Sequence, residues 1–289
     1  MARTHKAILI AETKVNIKGI QDMLDYLGVS DWTSDTPNDH DLLVEIAGRL
    51  CYKSFGVGLN PNITRVREGN MNYIGNSILN QKHGSVLEHP SVTFALLNVS
   101  RILTHELVRH RIASYSQESQ RFVRLDTFEM YIPDLTDAFV ELHNHLAPKR
   151  SPNIQQRWVD HMQAKFLSTM EYVKEVTQDQ LKDMIAELGL DEEGVPFTVK
   201  KQITSAMRRF IPGGVNTHII TTVNHRTLRH EIEMRTAKGA EIEIAEVFND
   251  IAQQVSTRYP GIYQDIKADP YNVNDPNTLY AWSFGNNKI

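Results

Sequence analysis

The chain has 289 residues, 41% of them hydrophobic and 23% charged, and a formal net charge of −4. That length can bury a sizeable core in one large domain or two smaller ones, and the acidic balance argues against a general nucleic-acid binder, which is usually basic. Its single cysteine, Cys51, excludes an intrachain disulfide and fits a reducing compartment. Met1 to Ile10 lacks signal-peptide architecture, and no stretch approaches the ~20 apolar residues of a membrane span, so a cytoplasmic protein is expected.

Along the chain, apolar residues at helical spacing predict helices over 16–28 (Ile17, Ile20, Leu24, Leu27) and 40–50 (Leu42, Leu43, Ile46, Ala47, Leu50). Ser30 to Asp39 between them is polar and reads as a loop. Phe55 to Pro61 is a Gly/Asn/Pro loop, and 70–82 reads as helix. Ser91 to Val99 is rich in apolar residues and predicts a strand. Arg101 to about Ile112 returns to helical spacing. Residues 134–209 read as mostly helical, with breaks at Pro148–Pro152 and Gly189–Pro196. Val215 to Val223 is a β-branched strand after an Ile-Pro-Gly-Gly turn. Asn224 is placed to cap a helix running to Arg235, and a further helix spans Ala240 to about Arg258. Tyr259 to Ile289 reads as an irregular tail. Helices dominate and the strands lack a βαβ rhythm, so the fold class expected is α+β.

Residues 109–121, Arg-His-Arg-Ile-Ala-Ser-Tyr-Ser-Gln-Glu-Ser-Gln-Arg, put three cationic or titratable groups side by side in an acidic chain. Such a cluster repels itself unless something anionic sits in it. Arginine forks suit phosphate or a polarised carbonyl, and the hydroxyls that follow add neutral donors. Ser114, Ser116, Gln117, Ser119 and Arg121 read as a donor-rich loop. A helix over 101–112 would align Arg101, His105 and Arg109 near one face, with Glu106 in reach of Arg109 and His110. A solvated face with local ion pairs is the plainer alternative for that helix.

Two other motifs fail. His105-Glu106-Leu107-Val108-Arg109-His110 resembles a zincin helix, but its second histidine stands at i+5, and Arg109 in the i+4 place would repel a zinc ion. No metal site is expected. Gly56-Val57-Gly58 lacks the third glycine of a dinucleotide fingerprint, since Pro61 occupies that position. Any bound phosphates must therefore be held by side-chain arginines.

In Asn224-His-Arg-Thr-Leu-Arg-His-Glu-Ile-Glu-Met-Arg235, one helical stripe holds Asn224, Leu228, Ile232 and Arg235. Leu228 and Ile232 should face the interior and take Arg235 inward with them. An inward arginine needs an anionic or carbonyl partner, either a ligand or a buried carboxylate. Arg226 and His230 share a neighbouring stripe. His83-Gly-Ser85-Val-Leu-Glu88-His89 and Arg208, four residues before Pro212, say little alone.

Together these pieces resemble the flavin-dependent thymidylate synthases. Arg109-His110-Arg111 is followed by Ser119 after seven intervening residues, and His83 to His89, Arg208 to Pro212 and Asn224 to Arg235 fit the family's other motifs in order. The similarity is specific over roughly 80–125 and 205–250. It implies a ThyX-type α+β fold, with a small, mainly antiparallel sheet flanked by long helices. It implies a single catalytic domain over 1–289, with a helical insertion around 134–205 and the irregular tail at 259–289.

The implied reaction converts dUMP to dTMP, with methylenetetrahydrofolate as carbon donor and NADPH-reduced FAD as hydride source. A homotetramer with active sites shared between subunits is implied, with no nucleic acid or membrane partner. The resemblance assigns FAD contacts to His83, Ser85, Arg109, His110, Arg111, Gln117, Asn224, His225, Arg226 and His230. It assigns the dUMP site to Glu106, Leu107, Val108, Arg109, Gln117, Glu118, Ser119, Gln120, Arg121, Arg208 and Arg235. Within that site Ser119, Arg121 and Arg208 would hold phosphate, and Arg235 would act catalytically by favouring ionisation of uracil N3. Many members carry Glu where this chain has Gln117. Two rival readings are a related pyrimidine nucleotide modifier, such as a dUMP hydroxymethylase, and an Arg-rich nucleic-acid-binding module.

Overall fold

Alternating burial along two strands sets the framework of the computed structural model, which describes residues 5–56, 68–122, 126–273, 275 and 278–285. The elements run in the order β1 (Lys6–Glu12), α1 (Ile17–Tyr26), α2 (Asp39–Tyr52), α3 (Asn70–Tyr73), β2 (Ser91–Ser100), α4 (Arg101–Leu107), β3 (Ala113–Gln117), α5 (Thr136–Leu146), α6 (Pro152–Glu187), α7 (Phe197–Met207), β4 (Asn216–Asn224), α8 (His225–Arg235), α9 (Ile242–Arg258), β5 (Ile266–Pro270) and β6 (Tyr280–Phe284). A π-helix (Ile74–Leu79) continues α3, and 3-10 turns occupy Gly84–Glu88 and Arg208–Phe210. The expected α+β class holds: helices dominate and the sheets are small, one of four strands in the order β1-β2-β4-β3 and one two-stranded.

The chain divides into two compact units. One comprises 1–6, 97–106 and 117–219, and the other 7–96, 107–116 and 220–289. Val92, Phe94 and Leu96 of β2 and Thr217, Ile219, Thr221 and Val223 of β4 are buried, while the residues between them are half-buried or exposed. This period-two pattern is that of a sheet with one face on a core. In β2 the alternation breaks at Asn98, which adopts a left-handed φ of 54°. Its backbone N–H donates to His218 Nδ1 at 3.1 Å.

In the first unit Phe128, Met130, Leu181, Ile185, Leu190, Met207 and Val215 form one core cluster. Helix α6 starts with Pro152 after Ser151, where a missing N–H costs nothing. It runs 36 residues, of which only Val159, Leu181 and Ile185 are buried.

In the second unit Leu24, Val29, Ile46 and Phe55 form another cluster. A buried polar network sits beside it: Arg49 donates from Nε to Glu45 Oε1 at 2.8 Å and reaches the carbonyls of Ser54 and Glu68. Asp41, inside α2, accepts from the backbone N–H groups of Gly261 and Ile262. A Cβ at Gly261 would stand 2.8 Å from Asp41 Cγ, so that close approach requires glycine.

Helix α8 begins as expected, with Asn224 Oδ1 accepting from Thr227 N–H at 2.9 Å. Arg229 anchors it to the C-terminal hairpin by two bonds to Asp265, both 2.8 Å, and by its guanidinium 4.0 Å over the Phe284 ring.

Three expectations need correction. Helix α4 stops at Leu107 rather than near Ile112. The Tyr115 hydroxyl donates to the carbonyls of Leu107 and His110, at 3.0 and 2.8 Å, and so satisfies groups a longer helix would have bonded. The segment Ser114 to Gln117 is strand, not loop, because β3 pairs in the sheet. The tail is not irregular throughout: Ile266–Pro270 and Tyr280–Phe284 pair antiparallel, and Phe284 is buried. Strand β1 was also not expected from the sequence. The Val57–Pro61 part of the expected loop lies outside the described residues.

Removing one partner of a buried ion pair strands the other charge, at about 3–5 kcal/mol. Asp265→Ala should therefore lower unfolding stability in urea by an amount in that range, since Arg229 is only 4% exposed. A loss under about 1 kcal/mol, the scale of a surface pair, would show that the hairpin does not anchor α8.

Candidate functional site

The residues expected to hold anionic ligands fall into two groups, one in each unit. In the first unit α4 fixes the end of β3. Gln117 Nε2 donates to Thr104 Oγ1 at 2.9 Å, and Arg101 donates to the Glu118 carbonyl at 3.3 Å. The Glu118 N–H bonds the His218 carbonyl at 3.0 Å. A turn then closes from Phe122 N–H to the Ser119 carbonyl, with Ser119 Oγ accepting from Arg121 N–H. Arg121 is exposed and donates from Nε to Ser205 Oγ at 3.3 Å. Burial, and then the nearby Arg208 charge, lowers the pKa of Arg101. Two arginines thus repel each other beside a turn of hydroxyl and N–H donors. That arrangement suits a phosphate, which would remove the repulsion and accept the donors.

Gln117 has a physical account here. Its amide nitrogen donates to the buried Thr104 hydroxyl, which in turn donates to the Arg101 carbonyl. A carboxylate at 117 could not donate to Thr104.

In the second unit the Arg-His-Arg run meets α8. Arg235 Nε donates to His110 Nε2 at 2.9 Å. That nitrogen must therefore be unprotonated, which places the ring proton on Nδ1. Burial, then the charges of Arg235 and His230, holds the His110 imidazole down to about 4. His230 stands edge-on to His110, with ring centroids 6.1 Å apart. Leu228 and Ile232 are buried as the stripe predicted, and Arg235 beside them is half-buried.

Arg226 is exposed and pairs with Glu88 from the Gly84–Glu88 turn. Exposed pairs of this kind contribute little, so Arg226 can exchange the carboxylate for a phosphate. His83 is half-buried, with Nε2 2.5 Å from the Tyr52 hydroxyl. Ser85, Arg109 and Arg111 are exposed.

Some predicted residues have their side chains turned elsewhere. His225 is 0% exposed. Its ring nitrogens lie 2.6 Å from His40 Nδ1 and 3.0 Å from the Tyr263 hydroxyl, so it serves the core and leaves only its backbone for a ligand. Leu107 is likewise buried, whereas Val108 is 41% exposed. Glu106 and Gln120 are half-buried. Because α4 ends at Leu107, helical spacing no longer aligns Arg109 with Arg101 and His105.

Sequence reasoning missed Thr104, Tyr52, Tyr115 and Glu231. Period-two alternation would have flagged Tyr115. Position 231, three residues after Leu228 and four before Arg235, lies on the inward stripe that the same reasoning identified. Nothing local marked Tyr52 or Thr104.

The chain matches, over residues 33–261, the family described as "Thymidylate synthase complementing protein". It is similar to the flavin-dependent thymidylate synthase of Mycobacteroides abscessus, 32% identical over 237 residues that cover 81% of this chain and 82% of that one. The protein of that name from Corynebacterium diphtheriae is 32% identical over 238 residues, 82% of this chain and 83% of the relative. That of Clostridium tetani is 31% identical over 241 residues, covering 83% and 87%.

A histidine held below its ordinary 6.5 opposes folding as pH falls, because the unfolded chain takes the proton first. The stability lost this way accumulates from about pH 6.5 down to about 4. Nitrogen-detected NMR of the imidazoles at pH 5.5 should find His110 neutral, with Nε2 bare. A protonated His110 at that pH would contradict the assigned Arg235 bond.

Proposed function

The chain belongs to the thymidylate synthase complementing protein family, and from that premise we propose that it is a flavin-dependent thymidylate synthase, converting dUMP to dTMP. Methylenetetrahydrofolate would donate the carbon and NADPH the reducing equivalents. The observation that carries the reading is the Arg235–His110 hydrogen bond, which joins the Arg-His-Arg run to the helix after Asn224.

In the first unit Ser119, Arg121 and Arg208 would bind the dUMP phosphate, with Arg101 adding charge. Gln117 and Glu118, pinned by Thr104 and Arg101, would present that turn, together with Gln120. In the second unit the donor chemistry fits a flavin dinucleotide. Arg109, Arg111 and Arg226 are exposed cations suited to a diphosphate, and Asn224, His83, Ser85, His110 and His230 supply further donors and acceptors. The flavin, when bound, supplies the hydride that reduces the transferred carbon.

Arg235 would face the uracil and stabilise negative charge on the ring as N3 loses its proton. His110 remains neutral beside it and orients the guanidinium through Nε2. Glu106 and the backbone from Leu107 to Arg109 would complete the nucleotide's surroundings. Cys51 is exposed and lies outside these groups, so no cysteine attack on uracil is assigned.

We read the protein as a homotetramer with active sites shared between subunits. Ile8, Ile10 and Ile220 on the sheet are 41–50% exposed, an apolar surface that a second copy would cover. We take 134–205 as an insertion in one catalytic domain acting in the cytoplasm. Among the described residues no helix is long and apolar enough to cross a membrane.

Purified protein reconstituted with FAD should be yellow and bleach with NADPH; a preparation that retains no flavin would sink the reading. Losing one preorganised donor to developing charge costs about 100- to 1,000-fold in turnover. Arg235→Ala should lose dTMP formation on that scale yet keep FAD, and unchanged turnover would refute its uracil role. A charge-assisted hydrogen bond contributes about 1.5–3 kcal/mol. Arg121→Ala should therefore weaken dUMP binding by more than tenfold and FAD binding far less. Equal losses for the two ligands would count against a phosphate role.

A further inference from the structure

Glu231 sits on α8 one turn before Arg235 and is 1% exposed. Its Oε1 is buried with no hydrogen-bond partner. A carboxylate oxygen left dry and unbonded is costly, whereas a neutral carboxylic acid tolerates that setting. Three groups lie within its electrostatic reach: Arg235 on the same helix, Tyr115 on β3 and Tyr263 in the segment after α9. Tyr115 also holds the His110 carbonyl, and His110 accepts from Arg235. Glu231 therefore acts electrostatically on Arg235 and on the tyrosine that holds the His110 carbonyl.

We propose that Glu231 is a positioning residue, kept as a neutral acid so that Arg235 stays on His110 and directed toward the nucleotide. Ionised, Glu231 would place a full negative charge one turn before Arg235 on the same helix. It would draw Arg235 off His110 Nε2 and weaken the positive charge available to the uracil. The inference rests on the assignment of Arg235 to the uracil. Burial raises the Glu231 carboxyl to about 8, and the Arg235 charge opposes that rise. Tyr115 and Tyr263 are both held above the ordinary phenol range, first by burial, so neither supplies a competing charge near pH 8. His110, held at about 4, and the buried His225 beside Tyr263 stay neutral there as well. Arg229, which also lies near Tyr263, is bonded to Asp265.

Two measurements on the FAD-loaded enzyme test this. Infrared difference spectra between the native protein and Glu231→Gln at pH 7 should contain the C=O stretch of a buried protonated carboxylic acid. That band should fade as pH passes about 8. This arm needs no turnover, so it separates the state of Glu231 from the thymidylate assignment. A missing band at pH 7 would overturn the proposal.

The second measurement is the pH profile of kcat. If only the neutral acid supports turnover, native kcat falls about tenfold per pH unit above the Glu231 transition. Glu231→Gln, isosteric and never charged, should stay level there with KM for dUMP little changed. Glu231→Asp should restore a fall at high pH. The same decline in native enzyme and Glu231→Gln would overturn the positioning role, even with the infrared band present.

Discussion

A single hydrogen bond, from Arg235 Nε to His110 Nε2, is the contact on which the chemistry proposed for the second unit depends. It requires a neutral imidazole with Nε2 bare, and burial beside two other basic side chains favours that state. His110 makes this bond from beyond the end of α4. Tyr115 takes the carbonyls of Leu107 and His110. The early end of α4 thus leaves His110 outside the helix, its carbonyl held by Tyr115. A helix continued to Ile112 would hold His110 by its own backbone ladder.

Helix α8 carries the other half of this contact and is held at its start and its middle. Asn224 caps its start, and Arg229 ties its middle to Asp265 and Phe284 of the C-terminal segment. Residues on three faces of one helix then do different work. Leu228 and Ile232 pack, Arg226 and His230 are exposed, and Arg235 stands between. In the first unit α4 and β4 do the corresponding job, clamping Gln117 and Glu118 so that the Ser119–Arg121 turn has a fixed base.

Much of this was legible in the sequence, for identifiable reasons. The stripe through Asn224, Leu228, Ile232 and Arg235 predicted cap, core and inward arginine, because helical periodicity and capping are local rules. The β-branched run before Asn224 was equally plain. The end of α4 was not, because the phenol that caps it comes eight residues later. Strand β3 looked like a polar loop because Ser114 and Ser116, on its exposed side, dominate its composition. The C-terminal hairpin was hidden by Pro, Asn and Asp between its strands. It is fixed by non-local partners, Arg229 and Thr236 among them. His225 was assigned to the cofactor because its neighbours are, yet one helical step turns its ring into the core beside His40 and Tyr263.

The central claim is that these residues serve methyl transfer to a uracil nucleotide through a flavin. Incubating the FAD-loaded protein with dUMP, methylenetetrahydrofolate and NADPH, and identifying the nucleotide product by mass, tests it most directly. The account predicts dTMP, formed only when all three are present. A hydroxymethylated nucleotide, or dUMP recovered unchanged while the protein retains flavin and binds dUMP, would contradict it.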